Sequence, residues 1–392
     1  MKQMSDSNSV KLSVVMPCLN EADTLAVCIE KAKRGIAESG VSGEIIIADN
    51  GSTDSSTEIA QNLGVRVVHV EEKGYGNALM GGIEAARGEY VMMGDADDSY
   101  DWLEIPKFVG KLEEGFDLVQ GCRFPSGGGT IKTGAMPFLH RWWGNPMFSK
   151  MVRIWFSAPI NDVYCGLRGF TKTHYENLNQ RCTGMEFATE MIIKSSLNKA
   201  KIAEVPITLH PDGRKSHAPH LKTFRDGWRT LRFFLMYSPR WLFLLPGLFF
   251  IFLGFAGYLV ALPGVTIGNI NFDAHTLLFS SMFIICGYQA VLFAIFTKMF
   301  AVSEGLHPED PKLNKFFEII NLERGLIFSA IVLLIGVVLL LLAVNDWRLS
   351  GFGRLDYART MRWVIPGATL TALAVQTIFS SFFASILGMK RK

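Results

Sequence analysis

The sequence predicts an α/β domain on a Rossmann-like, mainly parallel sheet, followed by an all-α membrane domain of four transmembrane helices. Three observations carry that expectation. Short β-branched runs alternate with segments of helical periodicity between Leu12 and Met93. Those runs lead into polar, acidic turns at Asn20-Glu21, Asp49 and Asp95-Ala-Asp97. Charged residues then almost vanish after residue 240.

Leu12-Ser-Val-Val-Met16 reads as a strand followed by a turn at Pro17. Glu21 to Ala37 has helical spacing, with Leu25, Cys28, Ile29 and Ile36 apolar. Glu44 to Ala48 is a buried strand ending at Asp49, and Asp54 to Leu63 a helix with Asp54 as its N-cap. Val65 to Val70 is a third strand, Asn77 to Arg87 a helix, and Tyr90 to Met93 a fourth strand ending at Asp95. Repeated β-α units imply a parallel sheet with right-handed crossovers. Such sheets bind ligands beyond the C-terminal ends of their strands. Pro17, Asn20, Glu21, Asp49, Asp54, Asp95 and Asp97 all gather there, which predicts a nucleotide site.

From Trp241 to Ala301 the only charges are Asp273 and Lys298, and 325–344 and 364–388 carry none. About 20 apolar residues cross a bilayer. The expected spans are about 242–263, 276–300, 325–345 and 364–388. Lys and Arg near the spans set orientation. Lys222, Arg225, Arg229, Arg232 and Arg240, then Lys312, Lys315 and Arg324, then Lys390-Arg391-Lys392 put the N-terminal domain and the tail in the cytoplasm. Arg348, Arg354, Arg359 and Arg362 argue the other way. Met1 to Lys11 is polar, so no signal peptide is expected. The expected organisation is a cytoplasmic domain over 1–221, an amphipathic interfacial helix over 222–240 and a multi-pass membrane domain over 241–392, in the inner membrane if the host is bacterial.

Composition excludes several classes. Of 392 residues, 49% are hydrophobic and 19% charged, below the roughly 25% charged of soluble domains. A disordered, collagen-like or coiled-coil chain is excluded, and a wholly soluble enzyme is not expected. With 39 basic against 36 acidic residues, net charge is +3, too balanced for a nucleic-acid partner. The six cysteines show no C-x-x-C pair, so neither a zinc site nor a disulfide framework is expected. His210, His217 and His220 lack a metal-ligand pattern. Gly74-Tyr75-Gly76 lacks the third glycine of a dinucleotide fingerprint, and no P-loop is present.

Asp95-Ala96-Asp97-Asp98 is the informative segment. Carboxylates at i and i+2 in a loop after a strand can face one hard divalent cation. Mg²⁺ or Mn²⁺ held by one or two carboxylates takes its other ligands from water and a diphosphate, whose charge it neutralises.

Pro17-Cys-Leu-Asn20-Glu21, Asp49-Asn-Gly51-Ser-Thr-Asp54, Lys73-Gly-Tyr-Gly-Asn-Ala78 and Asp95-Ala-Asp97, in that order, resemble the family 2 glycosyltransferases of the GT-A fold. Gly121-Cys-Arg123, Asp162-Val-Tyr-Cys165-Gly-Leu-Arg168 and Glu204-Val-Pro-Ile-Thr208 look like its dolichol-phosphate mannose synthase and polyprenyl-phosphate glycosyltransferase branch. The likeness spans about 12–220. It implies transfer of a hexose from a nucleotide sugar, of the GDP-mannose or UDP-glucose type, to a polyprenyl phosphate (undecaprenyl or dolichyl) at the cytoplasmic face. It puts Pro17, Asn20, Glu21, Asp49, Gly51, Lys73, Asp95, Arg214 and Lys215 on the donor, and Asp95 and Asp97 on the metal. Arg123 would meet the acceptor phosphate, with Asp97, Arg123 and Glu190 in the catalytic group. Arg141 matches the motif poorly and is placed on the acceptor phosphate mainly by its position in a Trp-rich segment. Arg168 is a sugar or metal-shell residue, or else a structural ion pair. Glu186 and Glu190 share a helix face, and one of them can simply be solvated. Many relatives continue Asp-Ala-Asp-Leu-Gln; here Asp98-Ser99 follow, so Asp98 or water would replace the amide.

A phosphate monoester has its second pKa near 6, so at neutral pH it attacks without a general base. The site must instead hold two anions together, with a metal on one and Arg or Lys on the other. The expected reaction is one in-line displacement with inversion. His140 to Phe156 and Lys222 to Tyr237 mix aromatic and basic residues as interfacial helices do. One alternative is a polysaccharide synthase with a hydroxyl acceptor, although no Gln-x-x-Arg-Trp precedes the spans. Others are a non-catalytic lipid-carrier flippase or scaffold, and a nucleotidyltransferase. Whether the spans only anchor the enzyme, pair with a second copy or move product stays open.

Overall fold

The computed structural model describes residues 10–214, 223–308, 311 and 322–388. Two compact units divide the chain, Met1–Phe234 and Leu235–Lys392.

The first unit opens with β1 (Leu12–Cys18), α1 (Leu25–Ser39), β2 (Gly43–Asp49), α2 (Ser56–Asn62), β3 (Arg66–His69), α3 (Tyr75–Ala85) and β4 (Tyr90–Met93). It continues with α4 (Ile105–Glu113), β5 (Leu118–Cys122), β6 (Thr130–Ile131), α5 (Asn145–Phe156), β7 (Arg168–Thr171), α6 (Lys172–Leu178), α7 (Glu186–Leu197), β8 (Ile202–Pro206), β9 (Thr208–Leu209) and α8 (Thr223–Tyr237). Seven strands form one sheet in the order β3-β2-β1-β4-β7-β5-β8. Its pairs are parallel except at β7, which runs antiparallel to both β4 and β5. The sequence pattern showed no sign of β7, because Arg168-Gly-Phe-Thr171 contains no run of β-branched or apolar residues.

Helices cover both sheet faces, so Val14, Val15, Met16, Ile46 and Ile47 are all buried, as parallel sheets require. Helix α1 docks through Leu25, Cys28, Ile29 and Ala32, a single i, i+3, i+4, i+7 stripe. It ends at Gly40 with φ 72°, where a side chain would be strained.

Several expected boundaries move, each for a local reason. Strand β1 continues through Pro17 to Cys18. Its last pair with β4 is Val15–Met93, so Pro17 has only β2 beside it. Helix α1 starts at Leu25 rather than Glu21. The Glu21 carbonyl accepts the Thr24 and Leu25 N–H groups in a turn. Helix α2 starts at Ser56, with Ser55 at the N-cap position. The Asp54 carboxylate still accepts the Ser56 N–H at 3.0 Å, and its other oxygen accepts Ala22 N–H at 3.0 Å. It therefore ties α2 to the turn after β1.

The second unit holds four helices long and apolar enough to cross a membrane among the described residues. They are Arg240–Ala261, which contains α9 (Leu245–Ala261), α10 (Ala274–Ser303), α11 (Leu322–Leu349) and α12 (Tyr357–Gly388). A short hairpin, β10 (Thr266–Ile267) with β11 (Ile270–Asn271), joins α9 to α10. Helix α12 begins seven residues before the expected 364, because hydropathy marks the apolar run and not the hydrogen-bonded helix around it. A Cβ on Gly287 of α10 would lie 2.6 Å from the Gly247 carbonyl oxygen, and one on Gly367 of α12 would lie 3.0 Å from that of Gly336 on α11. Close backbone approach at small residues is how helices pack where the hydrophobic effect gives no drive between them. Polar side chains join three of these helices. The Tyr258 hydroxyl meets Ser281 Oγ at 2.6 Å and Thr369 Oγ1 at 3.3 Å, and Tyr288 meets Thr377 at 2.7 Å. Of the basic residues used for orientation, Lys222, Lys312, Lys315, Lys390, Arg391 and Lys392 lie outside the described residues.

Candidate active site

Parallel β1, β2 and β4 bring their C-terminal turns to one edge of the sheet. Just past β4, Asp97 Oδ1 accepts both the backbone N–H and the hydroxyl of Ser99, at 3.0 and 2.6 Å. Ser99 thus gives Asp97 a side-chain donor. Asp98 adopts φ 61° and pairs with Lys31 at 2.8 Å, not with its acidic neighbours. Asp95 Oδ1 accepts the Tyr75 hydroxyl at 3.0 Å.

Arg214 closes the group. Its Nη1 lies 3.2 Å from Asp97 Oδ2, and its Nε donates to Glu21 Oε2 at 2.9 Å. Burial would lower the Arg214 pKa, but Glu21 and Asp97 outweigh it and hold it above the ordinary arginine value. Asp95 moves the other way for a carboxylate. Burial, then repulsion from Asp97, push it well up. Two carboxylates two residues apart in one turn, Asp97 buried and Asp95 partly exposed, fit a hard divalent cation. Among the described residues no group of three or more His, Cys, Asp or Glu could hold a metal by itself. Such an ion would take its remaining ligands from diphosphate and water.

The turns after β1 and β2 are stitched to each other. Asn20, at φ 60°, accepts the Thr53 N–H at 2.8 Å, and its own N–H donates to Ser52 Oγ at 3.0 Å. Asp49 accepts the Ser52 and Gly51 N–H groups and meets His69 Nδ1 at 3.1 Å. Burial works against its ionisation, but the Ser52, His69 and Gly51 donors hold it below the usual carboxylate range. Asp49 is buried under its loop, while His69 is the exposed partner. Lys73 Nζ donates to the Asn50 carbonyl at 2.6 Å, and Asn50 Oδ1 accepts Gly74 N–H at 2.8 Å. Pro17 lies in β1, paired with Ala48 of β2.

The expected acceptor residues sit in different settings. Arg123, at the end of β5, is buried and grips Asp162 with two prongs, Nε to Oδ2 at 2.7 Å and Nη2 to Oδ1 at 2.8 Å. Arg141 lies in a π-helical turn, His140–Gly144, with its guanidinium 5.6 Å from the Trp142 ring. Around it Phe138, Leu139, Trp142, Trp143, Met147 and Ile154 are exposed. Helix α8 is only partly a surface helix. Phe234 is fully buried, edge-on to Phe148 and Phe156 of α5, while Trp228 is 61% exposed.

Glu190 is fully buried on α7. Lys194 lies 2.8 Å away, and the Arg181 and Cys182 N–H groups donate to its Oε2 at 3.0 and 2.8 Å. Burial opposes its charge, but those donors hold its pKa low. Glu186 pairs with Arg229 at 3.0 Å, so neither glutamate is simply solvated. Arg168 is also fully buried. Its guanidinium donates to the carbonyl oxygens of Cys165 and Ala188, and burial depresses its pKa. Lys215, with His217 and His220, lies outside the described residues. Sequence reasoning missed Tyr75, Ser99, Lys31 and Asp162 as partners in this region. Tyr75 and Asp162 fall inside segments that carry the resemblance, the one signal that could have marked them.

A mainly parallel sheet with acidic strand-end turns, in a chain that also carries four membrane helices, defines a membrane-bound glycosyltransferase once the relatives are considered. The model for glycosyl transferase family 2 matches 13–178, and that for the glycosyltransferase family 2 C-terminal transmembrane region matches 295–388. A low-salt glycan biosynthesis hexosyltransferase of Haloferax volcanii is 36% identical over 96% of this chain and 89% of its own. A dolichyl-phosphate hexose transferase of the same organism is 30% identical over 50% of this chain and 81% of its own. A crystal structure of Mycobacterium tuberculosis glucosyl-3-phosphoglycerate synthase, with Mn²⁺, UDP and glucosyl-3-phosphoglycerate, superposes with TM-score 0.46 at 21% identity, covering 58% of this chain and 78% of that one. The chain belongs to glycosyltransferase family 2. It is an integral membrane enzyme with a GT-A catalytic fold.

Proposed function

We propose that this enzyme transfers a hexose from a nucleotide sugar to a polyprenyl phosphate at the cytoplasmic face of the membrane. The observation that carries the reading is the Asp95–Asp97 pair, with Asp97 buried and Asp95 partly exposed, beside Glu21 and Arg214 at the C-terminal edge of the parallel strands. The names of the Haloferax relatives support hexose as the sugar and a polyprenyl phosphate as acceptor. The exposed Trp142, Trp143 and Trp228 among basic residues support an acceptor met at the headgroup level.

Asp95 and Asp97 would hold Mg²⁺ or Mn²⁺, which neutralises the diphosphate when bound. Arg214 contributes a second cation at the same edge. A phosphate oxygen of the lipid attacks the anomeric carbon in line. The bond from that carbon to the diphosphate oxygen breaks, and the nucleoside diphosphate leaves with its electron pair, inverting the centre. No general base takes part. Glu190 supports that assignment, because its oxygens are committed to Lys194 and two backbone N–H groups.

The test is a donor panel on purified protein. Radiolabelled UDP-glucose, GDP-mannose, UDP-N-acetylglucosamine and UDP-galactose each meet a polyprenyl phosphate with Mg²⁺, Mn²⁺ or chelator. Label enters the lipid phase from one donor, and is lost with chelator and in Asp97→Asn. Metal-dependent donor hydrolysis without lipid label would overturn the acceptor and favour a hydroxyl.

A further inference from the structure

Tyr75 stands where a small change could reach the proposed metal site. It is the first residue of α3, and its hydroxyl donates to Asp95 Oδ1 at 3.0 Å. The other Asp95 oxygen lies against Gly166, where an added Cβ would come within 3.0 Å of it. Asp95 is therefore oriented by a donor on one side and by close backbone on the other.

What fixes Tyr75 is the turn it sits on. Gly74, at φ 142°, donates to Asn50 Oδ1, and Asn77 N–H donates to the Thr183 carbonyl at 3.2 Å. A Cβ on Gly76 would lie 2.5 Å from the Cys182 carbonyl oxygen, so the start of α3 rests directly on the 182–183 backbone. That backbone is in turn held by Glu190, which accepts the Arg181 and Cys182 N–H groups while paired with Lys194. An unbroken run of contacts leads from Glu190 through 181–183 and the first turn of α3 to Tyr75 and Asp95.

We propose that Tyr75 is a positioning residue for the metal-binding carboxylate Asp95, and that the loop clamped by Glu190 sets where Tyr75 stands. The proposal rests on the metal–diphosphate reading of Asp95 and Asp97. Tyr75 touches neither sugar nor lipid in this assignment. It keeps one Asp95 oxygen occupied, so that the carboxylate meets the cation in one orientation. A hydrogen bond to a charged group is worth enough for roughly a tenfold change in affinity when lost.

The experiment measures Mn²⁺ binding to the full-length protein in detergent, by calorimetry and by the electron paramagnetic resonance spectrum of the bound ion, with and without UDP. Tyr75→Phe keeps the ring and removes only the donor. The expected result is Mn²⁺ affinity lower by about tenfold, a changed spectrum, an unchanged thermal midpoint and an unchanged KM for polyprenyl phosphate. Gly76→Ala, which acts only through the 182–183 contact, should weaken Mn²⁺ in the same direction. Wild-type Mn²⁺ affinity and spectrum in Tyr75→Phe would overturn the proposal while leaving the proposed function intact. If wild type binds no Mn²⁺ with UDP and Asp97→Asn behaves identically, the metal reading fails and the proposal with it.

Discussion

Arg123 and Asp162 form a two-pronged buried ion pair across 39 residues of chain, and the same Asp162 oxygen that takes Arg123 Nε also accepts the Arg123 backbone N–H at 3.1 Å. Both side chains are almost wholly shielded from water. Removing one partner of such a pair leaves the other charge buried and uncompensated, at a cost of about 3 kcal/mol or more. Asp162→Asn should therefore lower the thermal midpoint in detergent markedly, while Asp98→Asn, at a half-exposed pair with Lys31, should change it little.

Arg123→Lys tests the acceptor assignment. Lysine keeps the charge but not the planar fork. The expected outcome is a KM for polyprenyl phosphate raised by roughly tenfold, with the donor KM near wild type. Initial rates over a matrix of both substrates check it, and an equal rise in both KM values would count against an acceptor role.

Arg214→Ala tests the proposed donor side. Arg214→Ala removes the cation that spans Glu21 and Asp97. Its donor KM should rise by at least about tenfold, measured at saturating metal and acceptor.

Glu190 gives a pH signature of folding. Its folded pKa is lowered from 4.5, so its contribution is complete above that unfolded value. It disappears as the pH falls through the lower, folded value. Wild type should lose thermal stability through this acid window more steeply than Glu190→Gln, which starts less stable and cannot lose this term. Parallel curves for the two proteins would contradict it.

Gly287 tests the membrane unit. Its missing side chain lets α10 approach the Gly247 carbonyl of α9. Gly287→Val should separate the two helices and cost about 1–3 kcal/mol of overpacking strain, read as a lower midpoint of aggregation in detergent.

Local signals account for what could be read in advance. Four β-branched runs with acidic ends announced the parallel half of the sheet. Twenty-residue apolar runs announced the spans. Asp95 and Asp97 stood out because a two-residue spacing needs no tertiary information. Strand β7 was hidden, since its four residues owe their extended form to β4 and β5 on either side. The fates of Glu190 and Arg168 were hidden too. Nothing in a helical glutamate says whether it will be wet or will hold a loop, and Arg168 satisfies carbonyl oxygens that its own neighbours do not reveal.

A nucleotide-type α/β domain, a pair of acidic residues after a strand and four spans can all be read along the chain, because periodicity, hydropathy and short spacing are local properties. It took the folded chain to bring Arg214 to Glu21, 193 residues away, Arg123 to Asp162 and the Tyr75 hydroxyl to Asp95. Buried charges must find partners wherever the fold brings opposite groups together, and that choice is made by packing, not by position in the chain.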